Sequence, residues 1–252
     1  MNSFEKLIYL LQGEMIEPTL FGSFHLIWLV LTLIISIILY SIKKKYNEKQ
    51  LIWSFNYDTV TNIVTWDYQW YAFPFQLCTT PIYVSIICLF LKKGKVRDYL
   101  LSYMAYITIL GSIATMIMPD SCLTTDILVN IHTMWLHFGS FVVSVYLLMT
   151  GEVKTNIEEL KKAVIPFLIL VAVANTMNIV IYNIGILGEE TFNMFYISPY
   201  FISSLPVFDV IQNHVPYIVY LLTYIWALII GGFLIHCISY SIKYIYKKIL
   251  TN

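Results

Sequence analysis

Seven apolar runs, with basic residues on alternate connections between them, constrain this chain more than any other feature. The runs cover residues 21–42, 50–66, 73–91, 99–118, 127–150, 163–187 and 215–240. Most reach the roughly 20 residues that carry an α-helix across a bilayer core. Helices satisfy their own backbone groups in hydrocarbon, so runs of this length predict an all-α, polytopic membrane protein. The composition agrees, at 59% hydrophobic and 12% charged residues, with a mean hydropathy of +0.74. It excludes an ordinary soluble domain and offers no basic surface for nucleic acid.

The lysines and arginines check the count. Fourteen of the 15 follow runs one, three, five and seven, in groups of 4, 4, 3 and 3, and Lys6 alone lies on the other side. By the positive-inside rule this predicts seven transmembrane helices, N-terminus outside and C-terminus cytoplasmic, in the cell membrane. Residues 1–20 are then an extracytoplasmic segment, 21–242 the seven-helix domain and 243–252 a basic cytoplasmic tail. The N-terminus shows no charged n-region and no small-residue cleavage site, so no cleaved signal peptide is expected.

Orientation assigns a depth to each polar side chain. His25, Cys78, His132, His137 and His214 fall in the outer half, and Asp58, Asn62, Asn175 and Asn178 lie from the midplane outward. Polar groups in hydrocarbon are costly unless they face a cavity or one another. A polar cavity opening outward satisfies them together, with Asp58, Asn62, Gln76, Asn175, Asn178 and Asn193 as lining or binding candidates. The rival reading is that each bonds separately to a neighbouring helix.

Cys78 is the candidate with most chemistry. A helix starting at residue 73 carries Pro74 in its first turn, where the missing N–H costs nothing. Cys78 then lies one to two turns inside, at a depth of roughly 7–10 Å. An ester carbonyl lies near that depth, just below the lipid headgroups. A thiolate can attack such a carbonyl when a neighbouring histidine eases its formation, and a covalent acyl-enzyme splits one hard step into two. The competing readings are an inert buried cysteine and a disulfide to Cys122 on the same side. Cys88 and Cys237, deeper in hydrocarbon, read as packing residues.

The motifs resemble a known family. Phe73-Pro74-Phe75-Gln76-Leu77-Cys78 is similar to the Leu-Pro-Leu-His-Leu-Cys signature of the YwaF-type bacterial membrane proteins, relatives of the animal transmembrane protein 164 family. Pro119-Asp120, His137-Phe138-Gly139, the Asn193–Pro199 stretch and Pro216-Tyr217 resemble further elements of that family, in the same order along the chain. The resemblance implies seven spans and acyl transfer on a phospholipid by a cysteine and a histidine. A more distant membrane family, the androgen-induced hydrolases, uses threonine and histidine on lipid esters. Carried over, Cys78 is the nucleophile and His137 or His132 its base. The chain departs from the signature at Gln76, where the family has its histidine.

The predicted activity is a membrane-embedded acyltransferase or ester hydrolase acting on a lipid. The alternative is a non-enzymatic transporter or receptor using the same cavity. No cofactor and no metal is expected. His132 and His137 are five residues apart and point about 140° from each other on a helix, unlike the i,i+3 or i,i+4 spacing of ligand pairs. The last run has no Schiff-base lysine for a retinal. His214 and His236 are 22 positions apart, too far for a shared zinc. A haem held by His25 and His132 is the remaining cofactor reading.

Overall fold

The computed structural model describes residues 13, 15–42, 70–119, 123–125 and 127–251. The run at 50–66, with Asp58 and Asn62, lies outside them, and so does Cys122. The described residues are helical, with no strand among them. In chain order the helices are α1 (Ser23–Ile42), α2 (Thr80–Phe90), α3 (Lys95–Ile117), α4 (Ile127–Thr150), α5 (Ile157–Ile184), α6 (Phe208–His214) and α7 (Tyr217–Thr251). Four of them, α3, α4, α5 and α7, are long and apolar enough to cross a membrane.

The apolar runs at 127–150 and 21–42 become α4 and α1 with little change. The run at 215–240 continues as α7 to Thr251, through the residues expected as a tail, and the run at 99–118 starts earlier, at Lys95; two further differences bear on the site. The run at 73–91 is helical only from Thr80, so Pro74 lies in a turn and Cys78 precedes α2 instead of sitting one to two turns within it. The proline that enters the first turn is Pro81. The run expected from 163 begins at Ile157, because the Asn156 side chain accepts a bond from Glu159 N at 2.9 Å and Glu158 and Glu159 occupy the first turn. An N-cap asparagine with acidic residues behind it suits the positive end of a helix dipole. Pro166 therefore falls inside α5. Gly185, at φ 75°, ends that helix in the left-handed conformation.

Helix α3 is the centre of the assembly. Inside the protein, 61% of its apolar stretch is buried, against 28% for α5 and 22% for α7, so the latter two turn most of their surface toward lipid. Its middle, Met104–Thr108, is wound as a π-helix, and all five residues are buried. The wider turn leaves a carbonyl to be satisfied from outside the helix ladder. Met104 O takes bonds from Ser144 Oγ of α4 at 2.7 Å and from Thr108 Oγ1 at 2.9 Å. On the other side α7 approaches through Gly231 and Gly232. A Cβ at Gly232 would meet Leu160 Cδ1 at 3.1 Å, Ile107 Cδ1 at 3.2 Å and Tyr106 O at 3.3 Å. Paired glycines let helix backbones come this close, a common device where no water drives helices together.

The main core gathers Tyr103, Tyr106, Ile107, Phe167, Phe192, Phe195, Tyr220 and Tyr224. A second cluster of Leu123, Met134 and Phe138 packs against Phe24, Trp28 and Leu29 of α1. His25 ties α1 to the end of α3. Its Nδ1 accepts from Phe21 N at 3.1 Å, which leaves Nε2 to donate to Met116 O at 2.9 Å.

Candidate functional site

The stretch expected to begin a helix forms a short, heavily bonded turn. Thr79 Oγ1 accepts from Gln76 N at 3.0 Å and donates to Gln76 O at 2.9 Å, while Thr79 N and Thr80 N both donate to Gln76 O. Local loops of this kind are what threonine side chains favour at helix starts. Cys78 is held within that turn, half-buried, immediately before the N-cap Thr79 of α2.

Two buried tyrosines lie in the neighbourhood of Cys78. Cys78 lies within electrostatic range of Tyr103 on α3 and Tyr224 on α7, which are 0% and 2% exposed. Thr80 Oγ1 donates to Leu77 O at 2.8 Å, and its contact with Tyr103 Oη is 2.6 Å. A hydroxyl has one proton, so Tyr103 donates to Thr80 and keeps its lone pairs for the thiol side. Tyr224 packs against the ring of Phe208 at 5.5 Å. Sequence reasoning missed both tyrosines. Tyr217, Tyr220 and Tyr224, at i, i+3 and i+7, mark one face of α7 and were the available signal.

The predicted lining residues do another job. Gln76 Nε2 donates to Asn193 O at 2.9 Å and its Oε1 accepts from Phe195 N at 2.8 Å. Asn178 donates to Met194 O at 3.0 Å and accepts from Met194 N at 2.7 Å. Asn193 accepts from Ser198 N at 2.8 Å and donates to Phe201 O at 3.2 Å. Tyr217 Oη lies within hydrogen-bond distance of both Asn175 Oδ1 and Ile197 O, with one proton to give to either. Together these side chains clamp the loop 192–203, in which Phe195 and Tyr196 hold φ values of 59° and 58°. That conformation costs a non-glycine residue about 1–2 kcal/mol, and the clamps offset it. The rings of Phe75 and Phe195 stack at 5.8 Å, closing the loop over the Cys78 turn.

His137 is buried in α4, its Nδ1 has no hydrogen-bond partner, and the charged group within range of it is His132. His137 makes no hydrogen bond to Cys78. His214 bonds its own helix at Val210 O, 2.7 Å away. Both nitrogens of His25 are engaged, so the haem pair with His132 loses one of its ligands. No group of three or more metal-ligating side chains occurs among the described residues.

An all-helical chain with four apolar helices long enough to cross a bilayer, and with its interior hydroxyls bonded to backbone carbonyls, is a multi-pass membrane protein. The sequence model of the TMEM164 family matches residues 20–236. The chain belongs to that family. No curated protein and no solved structure matches it.

Proposed function

We propose that this protein is a membrane-embedded acyltransferase or ester hydrolase acting on a lipid, with Cys78 as nucleophile. The observation that carries the reading is the position of Cys78, in the turn immediately before α2 and within electrostatic range of Tyr103 and Tyr224. The thiolate is the nucleophilic form, and a base must take the thiol proton. The thiolate attacks the ester carbonyl carbon, and the Tyr224 hydroxyl donates to the oxyanion that forms. Collapse of the tetrahedral species expels the lipid alcohol, which takes up a proton, and leaves an acyl thioester on Cys78. Water or an acceptor hydroxyl then attacks the thioester and releases the thiol. Family membership supports the class of reaction; the assignment to Cys78 rests on the turn.

His137 and His132, both on α4, are the candidate imidazoles for the base. Activity-probe labelling of membranes with an acyl-directed reagent decides among the parts. Labelling is expected in the wild type, lost in Cys78→Ala, and reduced about 100-fold in rate in Tyr224→Phe, as for the loss of one oxyanion donor. A loss in His137→Ala as large as in Cys78→Ala assigns the base to His137. Retention excludes His137 as the base and leaves His132 as the candidate. Labelling that survives Cys78→Ala sinks the proposal and favours the second reading, a binding or transport protein built on the apolar cavity beside α4.

The same reading places the protein in the cell membrane with its basic segments on the cytoplasmic side, which the distribution of 14 of 15 Lys and Arg supports. Its relationship to the YwaF-type bacterial proteins rests on the 73–78 motif. Residues 193–199 extend that likeness.

A further inference from the structure

A cavity of about 270 Å³ lies between α1, α2, α3 and α4, on a different face of α4 from His137. Its walls carry few polar side chains, and those are already committed. Thr32 Oγ1 donates to Trp28 O at 2.9 Å, Ser140 Oγ to Leu136 O at 2.7 Å and Ser85 Oγ to Met104 Sδ at 3.8 Å. The rest of the lining is apolar, including Trp28, Trp135 and Met104. An apolar cavity of this kind holds no ordered water, since water needs two or more polar partners. Such a lining suits hydrocarbon.

We propose that this cavity binds the hydrocarbon chain of a lipid. An apolar cavity of about 150 Å³ takes a benzene ring, so this larger one has room for a stretch of acyl chain. Its rim is open sideways, because the lining residues Trp135, Leu31 and Ile35 are 52%, 41% and 41% exposed on the lipid-facing surface. A chain can enter through this side opening without leaving the bilayer. Gly139 keeps the floor clear, since a Cβ there would meet nothing within 4 Å. Pro81, in the first turn of α2, also lines the cavity, three positions beyond Cys78. A seated chain thus points its polar end toward the thiol, a link that rests on the proposed role of Cys78. Chain binding itself does not.

The test uses the full-length protein in lipid nanodiscs with two photoreactive probes. One is phosphatidylethanolamine with a mid-chain diazirine, and the other is the free diazirine fatty acid. Label is expected on the peptides carrying Trp28, Met104 and Trp135, and it should fall at least fivefold in Gly139→Phe while Gly139→Ala keeps it. Val143→Trp, from the same wall, is an independent plug should Gly139→Phe fail to fold. Labelling by phosphatidylethanolamine alone identifies an intact lipid as the source; labelling by both identifies the chain. Label confined to other surfaces, or unchanged in a folded plug variant, overturns the proposal; a cavity filled by another part of this chain gives that result. The same labelling in Cys78→Ser separates the two ideas, because the chain site holds if label persists there even when no activity is found.

Discussion

Replacing Gln76 with methionine keeps the side chain's length and removes its two hydrogen bonds to the 192–203 loop. Phe195 is 0% exposed, so its N–H loses the Gln76 acceptor with no water to replace it. An orphaned buried donor costs about 1–3 kcal/mol. Asn193 is only half-buried, and losing a bond at its carbonyl costs about 1 kcal/mol, the usual net worth of one hydrogen bond. The sum is about 2–4 kcal/mol, a large part of the stability of a typical domain. Gln76→Glu isolates the terms. It keeps the acceptor for Phe195 N but turns a carboxylate toward Asn193 O, so it should be no more stable than Gln76→Met. Unfolding in mixed detergent, followed by circular dichroism, measures both variants against the wild type. Asn178→Ala provides the comparison, because it strips both bonds from the fully buried Met194 backbone. A Gln76→Met loss below about 0.5 kcal/mol, beside a large loss in Asn178→Ala, would refute the claim that Gln76 fastens the loop to the Cys78 turn.

Gly232→Val should destabilise by about 1–3 kcal/mol by thermal unfolding, since the carbonyl of Tyr106 cannot give way. Gly231→Ala meets only the flexible tip of Leu110 and should stay within about 1 kcal/mol of the wild type, helped by alanine's better helix propensity. His25→Ala orphans Phe21 N and Met116 O, an expected loss of about 1–3 kcal/mol. Faster proteolysis at the start of α1 would accompany it.

The apolar runs were legible because a local pattern decides them. Residues 127–150 contain no strong breaker and become α4 over the same bounds. The start of α5 was misplaced because Lys161 and Lys162 read as a loop. In the structure they lie within the helix and pair with Glu158 and Glu159 at 2.8 Å. Residues 73–79 were misread for a different reason. Their apolar composition suits a helix, and what holds them out of one is Gln76 bonding 117 and 119 positions away. Asn178 and Asn193 were read as cavity lining by the same blindness, since a pattern along the chain cannot tell a ligand contact from a backbone clamp. Cys78 was picked out by its place in a motif. Its tyrosine neighbours, on α3 and α7, come from 25 and 146 positions further on.

The π-helical turn in α3 also sets the phase of everything that follows it. Such a turn accommodates one residue more than an α-helix would. Deleting one position between Met104 and Thr108 would let the helix regularise. Each later residue would then rotate by about 100° and shift by about 1.5 Å. Ser112 and Thr115, now turned inward, would swing toward acyl chains, and Leu110 would leave the groove beside Gly231. Evolution can thus re-aim a whole wall of this protein with a single codon, and the surviving insertion is what keeps that wall in register.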